Sequence, residues 1–181
     1  MTLRNSRLPS ALLSLGSNIE PELNLPAAAS LLADRFHRVG VSRVFETQPV
    51  EVIDGGPFLN SAVEILCPLT PLELKFEVLR PLEKMLGRVR TGDRNAPRTI
   101  DLDISLFADL VISDPEGGLV IPDPDILTCA HVAIPLADLA PDRRHPQTLQ
   151  TLEEIARRLE TSSLRVVQGL TGWPEPGRRE P

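Results

Sequence analysis

Residues 87–107, GRVRTGDRNAPRTIDLDISLF, place a run of arginines directly before an alternating segment that carries two aspartates. Between positions 99 and 107 polar and apolar residues alternate, which is the period of two of a half-buried strand. Asp101 and Asp103 therefore share one face, roughly 6.5 to 7 Å apart along the strand. Two carboxylates at this spacing can bind a common hard cation, or bracket a pair of metal ions about 3.5 to 4 Å apart.

The segment before this strand is rich in cations and in residues that interrupt regular structure. Gly87, Gly92 and Pro97 favour a loop. Its cations are Arg88, Arg90, Arg94 and Arg98. Guanidinium groups suit polyphosphate oxygens, and phosphoryl transfer depends on positioning and on neutralising charge with metal ions and cations. The alternative is a solvated strand edge whose aspartates form salt bridges with a basic loop.

Composition limits the class of protein. A chain of 181 residues with 41% hydrophobic and 24% charged residues suits one domain with its own core. The net charge of −6 argues against a nucleic-acid binder with a broad basic surface. Cys67 and Cys129 have neither disulfide-scaffold nor zinc-site spacing. Because no stretch is typical of a signal peptide or membrane span, we expect a soluble, cytoplasmic protein with no membrane partner. The sequence leaves its oligomeric state open.

The hydrophobic pattern predicts an α+β fold, with an antiparallel sheet covered by helices. Predicted strands are 11–15, 39–46, 58–66, 99–107, a hairpin of 110–112 with 119–121, and an edge strand at 164–167. Predicted helices begin at an Asn24 cap, at a Thr70/Glu73 capping box, within 126–136, and at a Thr151/Glu154 capping box. A doubly wound fold is disfavoured because neither a GxGxxG nor a P-loop motif is present. We expect a loose lead-in at 1–9, one domain at 10–170 and a disordered tail at 171–181.

Several motifs together resemble one known family. GRVR at 87–90 and PRTIDLDISLF at 97–107 closely resemble the signature of the 6-hydroxymethyl-7,8-dihydropterin pyrophosphokinases of folate synthesis. LGSN at 15–18, ETQP at 46–49 and FLNSAV at 58–63 extend the resemblance over roughly residues 10–160, in the family's order and spacing. The resemblance implies a ferredoxin-like βαββαβ core with added strands. It also implies transfer of pyrophosphate from ATP to a reduced pterin, releasing AMP, with two magnesium ions.

The resemblance assigns roles to particular residues. Asp101 and Asp103 would bind the magnesium ions, and Arg88 and Arg98 would act with them in catalysis. The implied nucleotide contacts are Glu83, Arg88, Arg90, Arg94, Arg98 and Ile104. The implied pterin contacts are Gly16, Thr47, Pro49, Val50, Phe58, Asn60 and His131. For Glu83 the alternative is plain helix surface.

The chemistry of the side chains agrees with two of the pterin contacts. Asn60 offers a donor and an acceptor to the amide-like edge of a pterin, and Phe58 offers a stacking face. The alternative for Phe58 is a core aromatic. We also expect the loops at 47–57 and 88–98 to close over the substrates, because a transferring pyrophosphoryl group must be kept from water.

Four positions depart from the family pattern. Asn95 stands where relatives carry an aromatic residue, Asp123 where they carry a nucleotide-contacting His, and Cys129 where they carry Arg. His131 stands where a Phe stacks on the pterin. The departures predict weaker ATP binding, unless the segment 123–133 has shifted outward.

Two other kinds of function remain open at this point. One is a weak or altered-substrate relative that acts on a modified pterin, or a module that only binds pterin or nucleotide. The other is a metal-dependent nucleotidyltransferase, which would release pyrophosphate instead of AMP.

Overall fold

The computed structural model of the protein describes residues 8–47, 56–90 and 96–178. Seven described strands form one antiparallel sheet. They are β1 (Ser10–Ser17), β2 (His37–Val41), β3 (Val44–Thr47), β4 (Phe58–Leu66), β5 (Asp101–Phe107), β8 (Leu164–Val167) and β9 (Gly177–Arg178). A separate hairpin joins β6 (Ile112–Asp114) and β7 (Leu119–Ile121). The prediction of an α+β fold with an antiparallel sheet is confirmed.

Helices cover both faces of the sheet. They are α1 (Pro21–Arg35), α2 (Pro71–Glu73), α3 (Arg80–Met85), α4 (Ala130–Leu139) and α5 (Leu152–Ala156). A π-helical segment, Leu74–Leu79, joins α2 to α3, so that 71–85 is one continuous helix. A short 3₁₀ helix, Pro124–Leu127, precedes α4. No helix in the described ranges is long and apolar enough to cross a membrane.

The strand order places β5 at one edge of the sheet. The main path is β5-β1-β4-β2-β9, and β3 pairs with β4 and β8. The predicted strand 39–46 is wrong in one respect, since it is two strands separated at Ser42. Ser42 exchanges two hydrogen bonds with the backbone of Ala62: its N–H donates to the Ala62 carbonyl at 2.9 Å, and its Oγ accepts from the Ala62 N–H at 2.8 Å. The hydroxyl therefore replaces a ladder contact where the strand breaks.

Two buried clusters hold the layers together. On one face Leu13, Leu15, Leu102 and Ile104 pack against α1 and the helix 71–85. On the other face Leu12, Ala62 and Leu106 pack against α4 and α5. A register shift between Leu12 and Leu13 turns Leu106 to this second face. Such a bulge inserts one extra residue and re-aims the side chains beyond it.

The helix starts test the capping predictions. Both capping boxes, Thr70 with Glu73 and Thr151 with Glu154, are confirmed. The Asn24 cap is wrong, because α1 begins earlier, at Pro21, whose fixed φ suits the first helical position. The Asn24 amide instead donates to the Ile19 carbonyl at 2.7 Å.

The C-terminal segment is more structured than the sequence predicts. Gly177–Arg178 pairs with β2, and Trp173 Nε1 donates to the Ser42 carbonyl at 3.0 Å. Trp173 also packs against the first core cluster. The prediction of a disordered tail is therefore wrong for 171–178. Residues 179–181 and 1–7 of the predicted lead-in lie outside the described residues.

Candidate active site

Three strands bring the predicted pterin and metal residues into one row. Gly16 on β1 pairs with Asn60 on β4 and with Asp101 on β5. Two strand spacings separate Asn60 from Asp101, which is about 9 to 10 Å between Cα atoms. Gly16 has no side chain, and an added Cβ would lie 3.4 Å from Asn60 Oδ1. The row is therefore a shallow floor with an amide at one end and a carboxylate at the other.

The two aspartates of β5 have different cation partners. Asp101 contacts the Arg98 guanidinium directly, and Arg88 and Arg90 approach it at 3.9 and 3.8 Å. The cation beside Asp103 is Lys75, whose Nζ lies 3.5 Å from Oδ1. The alternative of salt bridges between this strand and the basic loop thus describes part of the arrangement. These salt bridges do not account for the Arg88 donors that have no hydrogen-bond partner within the described ranges.

Arg88 is buried but incompletely paired. Its side chain is 9% exposed, and its Nε and Nη1 have no hydrogen-bond partner among the described residues. A buried guanidinium donor without a partner is costly, so such groups usually meet an anion or water. Arg88 therefore carries two buried donors without a partner in the described part of the chain, in a side chain that lies beside the Asp101 carboxylate.

Glu83 is a buried residue of the site and not helix surface. Its side chain is 1% exposed; Oε1 accepts from the Leu102 N–H at 2.9 Å, and Oε2 lies 2.6 Å from Arg90 Nη2. Because β5 is an edge strand, Glu83 satisfies one of its outward N–H groups and holds Arg90 in the site. Burial, followed by repulsion from Asp101 and Asp103, raises the pKa of Glu83 to about 8, against the hydrogen bond from Leu102.

Arg98 connects the two ends of the site. Its backbone N–H donates to Asn18 Oδ1 at 2.7 Å, and its carbonyl accepts from the N–H groups of Asn18 and Ile19 at 3.1 Å. Its guanidinium lies over the Phe58 ring, 5.6 Å from the centroid, while also contacting Asp101. Phe58 is half-buried, so the core-aromatic alternative does not describe it.

Asn60 is held in a fixed orientation. Its amide nitrogen donates to Thr47 Oγ1 at 2.9 Å, and the residue is 5% exposed. Thr47 in turn is positioned by β3, where it pairs with Phe58 of β4 on one side and with Leu164 of β8 on the other. The amide therefore keeps its Oδ1 directed over Gly16.

The segment that carries the departures from the family pattern lies against this site. The Asp123 N–H donates to the Ser105 carbonyl at 2.9 Å, which anchors the segment to β5. Asp123 Oδ1 caps the 3₁₀ helix by accepting from the Asp125 N–H at 3.0 Å. Cys129 is half-buried at the N-cap of α4, and His131 is exposed in its first turn. The segment has therefore not shifted away from the sheet at Asp123.

Besides Glu83, two carboxyl groups of this region, those of Asp103 and Asp123, have raised pKa values. Burial and the neighbouring Asp101 charge raise the pKa of Asp103. Burial raises the pKa of Asp123 to about 6, with further repulsion from Asp125 and Asp103. For His131, crowding by the protein lowers the pKa; Asp125 opposes this shift and Arg98 adds to it. The negative charges are thus close enough to repel one another when no cation is bound.

This donor set fits magnesium in kind. Hard divalent cations prefer carboxylate and phosphate oxygens, and the Asp101–Asp103 pair supplies two carboxylates on one strand face. Within the described ranges no group of three or more His, Cys, Asp or Glu side chains is arranged to hold a metal ion. Magnesium at nucleotide sites usually keeps several water ligands and binds phosphate oxygens besides one or two carboxylates.

Not every predicted site residue reaches this region. Ile104 is 3% exposed and points into the core with Leu102, opposite the two aspartates, so its side chain cannot contact a nucleotide there. Four further positions lie outside the described residues: Pro49, Val50, Arg94 and Asn95. The described ends of the two predicted closing loops are Thr47, 56–57, 88–90 and 96–98.

Two residues of the site were missed from the sequence. Asn18 lies in the quoted LGSN motif, but that motif gives no local signal for its hydrogen bonds to Arg98, which is 80 residues further along the chain. Lys75 gave no signal, because it belongs to a helix and reaches Asp103 only when that helix packs along the β5 edge. Its side chain is 13% exposed, unlike that of a solvated surface lysine.

The fold and site define an α+β protein with a two-carboxylate, cation-rich centre on one sheet face. The family model for 7,8-dihydro-6-hydroxymethylpterin-pyrophosphokinase (HPPK) matches residues 12–141. The 2-amino-4-hydroxy-6-hydroxymethyldihydropteridine pyrophosphokinase of Bacillus subtilis is 40% identical over 132 residues, 71% of this chain and 77% of that protein. The corresponding Pseudomonas aeruginosa protein is 38% identical over 140 residues, 74% of this chain and 82% of that protein. The chain belongs to the 7,8-dihydro-6-hydroxymethylpterin-pyrophosphokinase family.

Longer relatives contain this region as one part. The folate synthesis bifunctional protein of Arabidopsis thaliana is 36% identical over 143 residues, 76% of this chain but 28% of that protein. Among solved structures, wild-type HPPK-DHPS of Plasmodium falciparum superposes with a TM-score of 0.63 at 14% identity, over 83% of this chain and 44% of that one. At that identity the likeness concerns the fold, and the predicted ferredoxin-like fold is confirmed.

Proposed function

We propose that this protein transfers the β,γ-pyrophosphoryl group of ATP to the hydroxymethyl oxygen of 6-hydroxymethyl-7,8-dihydropterin in folate synthesis, with magnesium and with release of AMP. Membership of the pyrophosphokinase family supports this reaction. The observation that carries the proposal is the row Asn60–Gly16–Asp101, with the spare donors of Arg88 beside it. One end of the row suits a heterocyclic amide, and the other suits a metal-bound polyphosphate.

In this reaction the hydroxymethyl oxygen attacks the β-phosphorus. The bond from that phosphorus to the oxygen shared with the α-phosphate breaks, and AMP leaves with its electron pair. Arg88 and Arg98 would bind the negatively charged oxygens and balance the charge that builds up on them. Glu83 holds the Arg90 guanidinium, and Asn18 holds the backbone of Arg98, so these two residues are positioned before the substrate arrives.

The pterin end works by recognition and positioning. Asn60 would pair with the amide-like edge of the ring, oriented by its hydrogen bond to Thr47. Phe58 would stack on the ring, with Arg98 near the same surface. Placing the hydroxymethyl group towards β5 brings the attacking oxygen to the phosphate end.

Asp101 and Asp103 would hold the magnesium ions, which neutralise phosphate charge and orient the transferring group when they are bound. The raised pKa of Asp103 supports this assignment, because a bound cation would relieve the repulsion from Asp101.

A second candidate is the same fold acting on a modified pterin with weak nucleotide binding. Asp123 favours it, because its carboxyl lies within electrostatic reach of Asp103 and adds negative charge where a triphosphate would bind. His131 favours it too, since an imidazole near Arg98 offers a different surface to the ring than a phenyl group.

Product analysis tests the proposal. The purified protein is incubated with ATP, magnesium and 6-hydroxymethyl-7,8-dihydropterin, and the phosphorus products are identified by ³¹P NMR. AMP and a pterin diphosphate are the expected products. Pyrophosphate release would indicate nucleotidyl transfer, and binding without turnover would indicate a binding module; either result would refute the proposal.

A further inference from the structure

The cation beside Asp103 comes from an element that the sequence did not connect with the site. Lys75 lies in the π-helical segment Leu74–Leu79, and its Nζ lies 3.5 Å from Asp103 Oδ1. Its side chain is 13% exposed, so the ammonium is largely shielded from water. π-helical turns inside α-helices often occur at functional sites.

The surroundings of this ammonium are mostly acidic. The Lys75 charge acts on Asp103 and also on Asp123, and these two carboxyl groups repel each other. Asp101, by contrast, is surrounded by guanidinium groups. Lys75 is therefore the counter-charge for the Asp103 half of the pair.

A divalent ion bound by Asp103 would compete with this ammonium for Oδ1. Magnesium binds carboxylate oxygens at about 2.1 Å, so an ion on Asp103 Oδ1 would be close to a fixed positive charge. Like charges at that range repel strongly where water is partly excluded. A bound phosphate would relieve this repulsion, because its oxygen can accept a hydrogen bond from the Lys75 ammonium and leave the Asp103 carboxylate to the metal.

We propose that Lys75 makes metal binding depend on the nucleotide: without nucleotide its ammonium balances Asp103 and weakens divalent-cation binding, and with nucleotide it binds a phosphate oxygen. This inference rests on the proposed metal and nucleotide site. Lys75 thus makes the site bind the metal-nucleotide complex in preference to the free metal ion.

The chain offers a matched control, because its only lysines are Lys75 and Lys84. Lys84 lies on the same continuous helix and is exposed. Lys75→Met and Lys84→Met remove the same charge and differ only in place. Lys75→Arg keeps a charge, and Lys75→Gln is the second uncharged variant if Lys75→Met does not fold, as judged by circular dichroism and thermal unfolding.

Two equilibrium measurements test the inference. Mn²⁺ binding without nucleotide is followed by the loss of the free-ion EPR signal, and binding of the α,β-methylene analogue of ATP with magnesium is followed by calorimetry. Loss of the Lys75 charge should tighten Mn²⁺ binding by about tenfold, and weaken analogue binding by about tenfold. Lys84→Met and Lys75→Arg should stay within about twofold of the native chain on both measurements.

The inference is overturned if Lys75→Met binds Mn²⁺ no more tightly than Lys84→Met, or if its analogue affinity is unchanged. Neither measurement needs turnover. A native chain that forms no AMP would therefore refute the proposed function, while leaving the binding results to decide the role of Lys75.

Discussion

Adding one methyl group at Gly16 tests whether the pterin rests on the floor between Asn60 and Asp101. Alanine there would place its Cβ 3.4 Å from Asn60 Oδ1, which is an ordinary contact. Gly16 also lies within regular β-pairing on both sides. We therefore expect Gly16→Ala to fold with nearly native stability.

The expected loss is in catalysis with the pterin. A Cα–Cβ bond is about 1.5 Å long, so a flat ring that rests on the Gly16 backbone would be lifted by roughly 1 Å. A misplacement of this size costs about 100-fold in rate, or about 2.7 kcal/mol of transition-state stabilisation. The nucleotide end lies beyond the methyl group and should be affected far less.

The assay is kcat/KM for 6-hydroxymethyl-7,8-dihydropterin at saturating magnesium-ATP, with nucleotide affinity and melting temperature measured on the same preparations. We expect a drop of about 100-fold in kcat/KM with nucleotide affinity within about twofold of the native value. A native kcat/KM would show that no ring lies over Gly16. An equal loss of nucleotide and pterin binding would show a general distortion of the site.

Two further predictions concern charge. Because burial raises the folded-state pKa of Glu83 to about 8 from 4.5, the stability its protonated form contributes is complete below pH 4.5 and is lost as pH rises through 8. In urea unfolding of the ligand-free protein, the free energy of unfolding of Glu83→Gln relative to the native chain should therefore increase by about 1 to 3 kcal/mol between pH 5 and pH 9. A difference that does not change with pH would contradict this. The double variant Asp123→His, Cys129→Arg should bind magnesium-ATP more tightly. Each change should contribute roughly 1 to 3 kcal/mol, because hydrogen bonds to charged groups contribute about that much to binding. Unchanged affinity in calorimetry would place both residues outside the nucleotide site.

Local patterns predicted the parts of the site that lie on single strands. The period of two in β5 put Asp101 and Asp103 on one face, and the same period in β4 put Asn60 with Phe58. Strong local signals also located both capping boxes. These features depend on neighbours in sequence, which is why the sequence contains them.

Contacts between distant segments were not predictable in the same way. The resemblance placed Glu83 at the nucleotide, but its local pattern equally suits an exposed helical residue, and its contact with the Leu102 N–H exists only once the helix packs along the β5 edge. Lys75 depends on the same packing. The break at Ser42 depends on Ala62 and on Trp173, which is 131 residues further along the chain.

AMP formation by Asp101→Ala tests most directly whether the Asp101–Asp103 pair and its cations carry pyrophosphoryl transfer. The matched control is Asp34→Ala, because Asp34 is exposed on α1, away from the site. Circular dichroism and thermal unfolding establish that both variants are folded. Loss of a metal ligand should lower magnesium-dependent AMP formation by at least about 1,000-fold in Asp101→Ala, with Asp34→Ala unchanged. Near-native AMP formation by folded Asp101→Ala would show that this pair does not carry the transfer.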